Sequence, residues 1–139
     1  MQIVTIFIQN DQKKILIQKR SQKKGGKYGI TSGHTEAKET NIQGAKREIN
    51  EELGIHIKEC DFKLFYRTKI NKIIYNLYYV PININIEDLE LQQEEVEEVK
   101  WCTRKEIEKM INEDLFYEIQ IEAWEIFKKY IKEWKLWQQ

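Results

Sequence analysis

The sequence predicts an α/β (α+β) fold in which a mixed β-sheet lies between helices. The segment from Ile3 to Ile8 is apolar on both of its alternating faces, as expected for a strand at the centre of a sheet. Two later segments begin with helix capping boxes, at Thr40 and at Thr103. The elements follow in the order strands, helix, strands, helix and helix, which favours helices on both sides of one sheet.

Four further segments have the composition of strands. "KILIQKR" (Lys14 to Arg20) follows the turn "NDQK" and predicts a second short strand, after which "SQKKGGKYG" predicts a basic loop. The runs 62–69 and 73–80 are rich in Tyr, Ile, Phe and Leu and predict a hairpin that Pro81 closes. "VEEVKWC" predicts another strand directly before Thr103.

The first predicted helix begins near Thr40, because Thr40 and Gln43 form the capping box "TNIQ", and Gly54 is placed to end it. Apolar residues at three- and four-residue spacing predict its buried face: Ile42, Ala45, Ile49 and Leu53. A second capping box pairs Thr103 with Glu106. In the last helix the predicted buried stripe consists of Ile119, Ala123, Phe127, Tyr130 and Trp134.

The composition is that of a globular protein without a strong net charge. The 139 residues predict one domain over residues 1–139, and 23 basic against 23 acidic residues offer no general reason for nucleic-acid binding. Because the N-terminus leads straight into "QIVTIFIQ" without a basic region, we expect no signal peptide, and no apolar run reaches membrane-spanning length. Cys60 and Cys102 form no C-x-x-C pair, so we expect reduced thiols in a cytoplasmic protein. The balanced charge and the lack of a long apolar run lead us to expect no nucleic-acid or membrane partner.

Three glutamates share one side of the first predicted helix. At about 100° per residue, Glu48, Glu51 and Glu52 fall within an arc of roughly 100° beside the apolar stripe. Like charges at this spacing destabilise a helix, and the helix dipole disfavours anions near the C-terminal end. A solvated acidic face is the ordinary explanation for such a cluster, but three converging carboxylates are also the oxygen ligands that Mg²⁺ takes.

The residues around these glutamates resemble the Nudix box of the Nudix (MutT-like) hydrolases. That box has the pattern GX5EX7REUXEEXGU, in which U is aliphatic, and the segment from Gly33 to Ile55 matches it at every fixed position. "KYGITSGH" is similar to the W-x-x-P-G-G segment common in the family, and "EEVKW" is similar to a later strand. The resemblance implies a Nudix-type α/β/α sandwich that hydrolyses a pyrophosphate bond in a nucleoside diphosphate linked to X, using Mg²⁺ or Mn²⁺.

The resemblance also implies a role for each charged residue of the box. The implied metal ligands are Glu48, Glu51, Glu52 and the backbone carbonyl of Gly33. Arg47 lies one turn before Glu51, so a salt bridge would orient this carboxylate, and Glu39 would bind the same guanidinium. These two residues are therefore expected to hold the metal ligands in place.

The general base is left open between a glutamate of the box and one of a later acidic run. That run contains Glu94, Glu95, Glu97 and Glu98. We favour Glu95, because it lies about as far before Trp101 as some relatives place theirs. The basic segment from Lys19 to Lys27 is either a solvated turn or a segment that attracts an anionic substrate. Its candidate contacts are Arg20 and Lys27, with His34 as a further loop contact. Five tyrosines are candidates for stacking on a base, although most are expected in the core: Tyr28, Tyr66, Tyr75, Tyr78 and Tyr79.

Departures from the family pattern leave other functions open. Thr31 and Ser32 replace the proline and first glycine of P-G-G, which argues against an 8-oxo-dGTP hydrolase. One alternative is a nucleotide-binding module without catalysis. Another, an isopentenyl diphosphate isomerase, is disfavoured because Cys60 and Cys102 both follow the box. The expected partner is a small nucleotide or other diphosphate bound by a monomer or homodimer. Packing against the core is the favoured expectation for three apolar residues near the C-terminus, and an apolar contact between subunits is the alternative: Trp134, Leu136 and Trp137.

Overall fold

The computed structural model describes the backbone of residues 1–138 and the side chains of residues 1–132. The side chains of Trp134, Leu136 and Trp137, for which the sequence predicts burial or a subunit contact, lie outside the described residues. Within the part of the chain that is described, no helix has the length and apolar character needed to cross a membrane.

Seven strands of the described chain form one mixed sheet. They are β1 (Gln2–Gln9), β2 (Ile15–Arg20), β3 (Tyr28–Gly29), β4 (Thr31–His34), β5 (Lys63–Ile70), β6 (Ile73–Pro81) and β7 (Val96–Cys102). The strand β1 is central, as predicted, since it runs parallel to β6 and antiparallel to β4 and meets β2 at the pair Gln9–Ile15. β5 and β6 form the predicted hairpin, and both β3 and β7 pair with β2.

The first helix begins and ends, and the second helix begins, where the capping residues predict. They are α1 (Asn41–Leu53), α2 (Arg104–Asn112) and α3 (Ile121–Gln138). The Thr40 hydroxyl accepts from the N–H of Gln43 at the start of α1, and Thr103 forms the same capping box with Glu106 at the start of α2. Gly54 ends α1 with a φ of 70°, in the left-handed region that favours glycine.

The two faces of the sheet pack against different helices. One face packs on α1 through residues that are almost fully buried: Val4, Ile6, Ile8, Ala45, Ile49 and Leu53. On the other face Phe7 packs on Trp124 and Phe127 of α3, and the rings of Phe7 and Phe127 stack with their centroids 4.4 Å apart. Because successive side chains of β1 point to opposite faces, this one strand contributes to both cores. The predicted sandwich of a mixed sheet between helices is confirmed.

The prediction that Ile119 belongs to the core is wrong. Ile119 is 65% exposed, because it lies in a single 3₁₀ turn (Glu118–Gln120) before α3 begins. Gln120 is buried in its place, and its side chain bonds both the N–H and the carbonyl of Ile30. A polar side chain with two backbone partners tolerates burial that an unpaired one would not.

The sequence does not predict the strands β3 and β4, because the composition of this part of the chain is that of a basic, glycine-rich loop. Gly is depleted in strands and only Thr31 favours one, so "TSGH" carries little local strand signal. The pairing of Thr31–His34 with residues Ile3–Ile6 of β1 makes this segment a strand. Long-range pairing therefore overrides local preference here, and it brings the beginning of the Nudix-like box to the centre of the sheet.

Candidate active site

A cavity of about 780 Å³ opens between the sheet, α1 and the beginning of α3. Its lining includes the glutamates of α1 on the side of β4, and apolar and aromatic residues of β5 and β6 on the other side of β1. The cavity therefore combines an acidic wall with an apolar one, and its volume is typical of a site for a small ligand.

The helix α1 presents its three glutamates to the cavity at different depths. Glu52 lies on the packed side and is 7% exposed, the Glu48 side chain is 15% exposed, and the Glu51 side chain is 49% exposed. They share one wall because residues three and four apart are neighbours on a helix surface. The structure thus brings together the three carboxylates that the sequence singled out.

Half of the Glu52 carboxylate is unpaired. Its Oε1 accepts a hydrogen bond from Gln18 Nε2 at 3.1 Å, whereas its Oε2 is buried and has no hydrogen-bond partner. Burial and the negative charge of Glu48 raise the pKa of Glu52 to about 8, while the bond from Gln18 opposes the rise. A buried polar atom without a partner destabilises a protein by roughly 1–3 kcal/mol, and more if it is charged, so a cation at this position would remove a penalty.

Gly33 lies directly against the carboxylate of Glu48. It pairs with Val4 in the sheet, and a Cβ placed on it would collide with all three atoms of that carboxylate. A side chain at this position would displace the Glu48 carboxylate, so glycine allows that carboxylate to approach the backbone closely. Burial raises the pKa of Glu48, and the positive charge of Arg47 opposes this rise.

Arg47 links the glutamates of α1 to the segment before the helix. Its Nη1 donates to Glu48 and to Glu51, at 3.1 Å in both cases. Its Nε and Nη2 bind the two oxygens of Glu39 at 3.2 and 2.8 Å, and Nη2 also donates to the carbonyl of His34 at 2.8 Å. The bonds with Glu39 are the main cause of a raised pKa for Arg47, and they lower the pKa of Glu39 in turn. The two-pronged contact fixes the guanidinium plane and leaves Nη1 for the α1 glutamates.

The donor set fits a hard divalent cation. Carboxylate oxygens are the ligands that Mg²⁺ and Mn²⁺ prefer, and Glu52 offers a buried oxygen without a partner. The described residues contain no group of three His, Cys, Asp or Glu side chains already spaced to hold a metal, and Arg47 occupies Glu48 and Glu51. A cation would therefore compete with Arg47 for these two carboxylates.

Glu95 is the member of the later acidic run that lines the cavity. Its Oε2 lies 3.5 Å from Lys24 Nζ, and its negative charge contributes to the raised pKa of Glu52. Glu97 and Glu98 pair instead with side chains of β2 and β3, at 2.9 and 3.0 Å. Among these acids, geometry therefore favours Glu95 for a role in the cavity.

Arg20 and His34 line the cavity, whereas Lys27 is turned to a different partner. The Arg20 guanidinium stacks on the ring of Tyr117, with its Cζ 3.9 Å from the ring centroid. Lys27 Nζ lies 3.1 Å from the carboxylate of Asp114 and is not part of the cavity lining, so its role in substrate binding stays a prediction.

Two of the five tyrosines proposed for base stacking, Tyr66 and Tyr75, line the cavity. Tyr78 and Tyr79 are buried in the two cores, as expected for most of the set. Tyr28 instead donates its hydroxyl to Glu98, outside the cavity lining. Tyr117, which the sequence did not single out, lines the cavity from the loop before α3.

Sequence reasoning missed the polar residues behind the glutamates. Gln18 donates to Glu52, and the hydroxyl of Thr31 donates to Oε1 of Gln18 at 2.7 Å. Gln18 carried one signal, since it lies two residues after Leu16 on the strand face that packs on α1, where an apolar residue is expected. Thr31 departs from the family pattern in the sequence, but its partner Gln18 is known only once β4 is placed beside β1.

Comparison with known proteins identifies the class to which this fold and cavity belong. A family model for the NUDIX domain matches residues 1–124. An uncharacterized Nudix hydrolase of Listeria monocytogenes is 29% identical over 110 residues, which are 76% of this chain and 65% of the Listeria protein. The chain thus spans slightly less than two thirds of the length of this relative.

Solved structures share the fold. The MutT protein of Methanosarcina mazei matches with a TM-score of 0.70 and 21% identity over 95% of both chains. The NUDIX domain of NrtR from Shewanella oneidensis, solved with ADP ribose, matches with a TM-score of 0.62 and 16% identity over 78% of this chain and 76% of that one. Together with the match over residues 1–124, they define a NUDIX-domain protein. The chain belongs to the Nudix (MutT-like) hydrolase family.

Proposed function

We propose that this chain is a metal-dependent pyrophosphohydrolase that cleaves a pyrophosphate bond in a nucleoside diphosphate linked to another moiety. The observation that carries the proposal is the acidic wall of the cavity, where the largely buried Glu48 and Glu52 lie beside the exposed Glu51. Buried carboxylates with raised pKa values concentrate at sites that bind or move positive charge. Membership of the Nudix family supports the same class of reaction.

Glu48, Glu51 and Glu52 would hold Mg²⁺ or Mn²⁺, with the carbonyl of Gly33 as a further oxygen ligand. When bound, the ion supplies positive charge that neutralises the pyrophosphate and activates water. Arg47 orients Glu51 and Glu48 through its Nη1, and Glu39 keeps Arg47 in place through its two hydrogen bonds. These contacts keep the negative charges of one helix face close together despite their repulsion.

Glu95 is our candidate for the group that takes a proton from the attacking water. Its side chain lines the cavity and is 39% exposed, so water and substrate can both reach it. Its Oε2 lies 3.5 Å from Lys24 Nζ, so a positive charge lies beside it. Glu51 is the alternative within the box. Because Glu51 is also an assigned metal ligand, the deciding variant is Glu95→Gln, and full turnover in that variant would rule out Glu95 as the base.

The apolar wall suits the base of a nucleotide. Tyr66, Tyr75 and Tyr117 offer aromatic surface, and the guanidinium of Arg20 extends the stack on Tyr117. Arg20 and Lys24 also provide positive charge for phosphate groups. The Shewanella domain was solved with ADP ribose, a nucleoside diphosphate linked to a second sugar, and we include that compound among the substrates to be tested.

The proposal is tested by a hydrolysis screen with Mg²⁺ and with Mn²⁺. The substrates are NTPs, dNTPs, ADP-ribose, dinucleoside polyphosphates and nucleotide sugars, and phosphate is measured before and after added phosphatase and pyrophosphatase. We expect turnover of one class only with metal, and a loss of about 100-fold or more in Glu51→Gln. Glu113→Gln is the matched control, because Glu113 also forms an i,i+4 ion pair and its side chain is 46% exposed against 49% for Glu51.

Retention of full turnover in Glu51→Gln would contradict the assigned role of the box. Tight nucleotide binding without turnover in either metal would favour the binding module instead. Neither Cys60 nor Cys102 lines the cavity, so the thiol required for the isomerase is not in place. Conversion of isopentenyl diphosphate without phosphate release would nevertheless overturn the hydrolase assignment.

A further inference from the structure

The hydroxyl of Thr31 begins a chain of hydrogen bonds that ends on Glu52. Thr31 Oγ1 donates to Gln18 Oε1 at 2.7 Å, and Gln18 Nε2 donates to Glu52 Oε1 at 3.1 Å. The three residues are 1%, 5% and 7% exposed, in that order along the chain of bonds. Buried polar side chains are costly unless they are paired, so this arrangement constrains the orientation of each member.

The chain of bonds has one direction. The Thr31 hydroxyl donates to the oxygen of the Gln18 amide, which leaves the amide nitrogen facing Glu52. Once Glu52 is ionised, as binding of a cation requires, the opposite orientation of the amide would place an oxygen, which cannot donate, against the carboxylate. Gln18 therefore occupies Oε1 of Glu52, whereas Oε2 stays unpaired in a buried position.

The first link depends on a residue that departs from the family pattern. Thr31 stands at the position of the proline in the P-G-G segment that this chain resembles. Proline has neither a hydroxyl nor a backbone N–H, so it could not orient the amide of Gln18. The neighbouring Ser32 has a separate role, since its hydroxyl accepts a bond from Gln120 at 3.1 Å.

We propose that Thr31 and Gln18 are positioning residues that hold the Glu52 carboxylate with its unpaired oxygen available to a divalent cation. The inference rests on the proposed function, because it assigns Glu52 to the metal. Partners that orient a metal-binding side chain commonly change metal affinity by about 10- to 100-fold when they are removed. Removal of the chain of bonds should therefore weaken metal binding before any nucleotide is present.

The test measures Mn²⁺ affinity by the electron paramagnetic resonance signal of the unbound ion, without substrate. We expect Gln18→Leu to weaken Mn²⁺ binding by about 10-fold or more, and Thr31→Val, which keeps the shape of the side chain, to weaken it by a smaller factor. Thr31→Ser restores the hydroxyl and should bind Mn²⁺ like the unaltered protein. A purely structural role of Thr31 would not produce this rescue together with a specific loss of metal affinity.

Tyr79→Phe provides a matched control. The Tyr79 hydroxyl also donates to the Oε1 of a buried glutamine, Gln9, at 2.7 Å, but neither residue lines the cavity. Tyr79→Phe and Thr31→Val should therefore lower the melting temperature comparably, whereas only Thr31→Val should weaken Mn²⁺ binding. This comparison separates the loss of a buried hydrogen bond from the loss of an oriented carboxylate.

Each outcome bears on the positioning role or on the proposed function separately. Equal Mn²⁺ affinity in all variants, or no Mn²⁺ binding by the unaltered protein, overturns the positioning role of Thr31 and Gln18. If Mn²⁺ binds with the expected dependence but no nucleotide is hydrolysed, the positioning role stands and the proposed function fails. If nucleotide is hydrolysed and Mn²⁺ affinity is insensitive to both residues, the proposed function stands and this inference fails.

Discussion

At the scale of single residues, Glu52 shows how position changes the chemistry of a common side chain. Burial deprives its carboxylate of hydration, and the charges of Glu48 and Glu95 disfavour ionisation further. Its pKa rises from the ordinary 4.5 to about 8, against a favourable hydrogen bond from Gln18. Between these two pH values the folded, metal-free protein holds a proton that the unfolded chain has released.

This difference predicts how stability depends on pH. Because the pKa of the acid is higher in the folded state, the contribution of Glu52 to stability is lost as pH rises from about 4.5 to about 8. Glu52→Gln mimics the protonated acid and is therefore expected to stabilise the metal-free protein at pH 8. Since one pKa unit corresponds to about 1.4 kcal/mol, the free energy of unfolding should rise by on the order of a few kcal/mol. Urea unfolding in EDTA from pH 5 to pH 9 measures the difference between the two proteins.

Glu113 is the control for that measurement, because its side chain is 46% exposed. Glu113→Gln should give a stability curve parallel to that of the unaltered protein. Equal pH slopes for Glu52→Gln and the unaltered protein would show that the carboxyl is ionised in the folded state.

The two cysteines are expected to differ in reactivity, because only one of them is buried. Burial raises the pKa of the Cys102 thiol to about 11, whereas Cys60 is exposed. Since the thiolate is the reactive form, we expect one thiol per chain to react with a disulfide reagent at pH 8, and both to react in urea. Cys60→Ser should abolish the reaction of the folded protein, and fast labelling of Cys102 in that variant would contradict the packing of β7.

At the scale of elements, α1 has its position set by its two ends. The capping box at Thr40 satisfies N–H groups that have no partner within the helix, and Gly54 ends the helix with its N–H bonded to the carbonyl of Asn50. The backbone carbonyls of Glu52 and Leu53 then accept bonds from Gln92 and Glu90. The end of the helix that carries the glutamates is thereby tied to the loop that leads to Glu95.

Loss of the N-terminal cap should therefore weaken the whole helix. Thr40→Ala removes the hydroxyl that accepts from Gln43 and is expected to destabilise the protein by about 1 kcal/mol. Thermal unfolding followed by circular dichroism measures the loss, and Thr40→Ser, which keeps a hydroxyl, should retain most of the stability. An unchanged melting temperature in Thr40→Ala would mean that water replaces the cap without cost.

At the scale of the whole molecule, the cavity exists because three parts of the chain meet beside β1. β4 brings Gly33 against Glu48, β5 and β6 supply the aromatic wall, and the segment before α3 adds Tyr117. The site is therefore assembled from residues far apart in sequence, and a ligand that bridges them should stabilise the folded state as a unit.

Divalent cations should accordingly raise the melting temperature. At a concentration about 100 times the Kd, binding to the folded state alone contributes about 2.7 kcal/mol. Differential scanning fluorimetry with MgCl₂ or MnCl₂ against EDTA, at constant ionic strength, measures the shift. We expect no comparable shift in Glu52→Gln, and an equal shift in that variant would place the cation elsewhere on the protein.

Local patterns were sufficient to predict much of this molecule. Capping boxes, helical spacing and apolar alternation depend on neighbours within about one turn or one strand, so they predict α1, α2, the hairpin and the central strand correctly. The same short-range spacing places Glu48, Glu51 and Glu52 on one helix face, with Arg47 one turn before Glu51. These features are present in any chain segment of that sequence once it becomes helical.

Other features depend on contacts between distant segments, which no local pattern specifies. The strand β4 forms because β1 pairs with it, Lys27 turns to Asp114, and Ile119 is exposed because Gln120 reaches the backbone of Ile30. The depth of burial of Glu52, and hence its raised pKa and its link to Thr31, also arises only when α1 packs on the sheet. The sequence thus determines which acidic residues share a helix face, but their hydration, charge and partners follow from the packing of the folded chain.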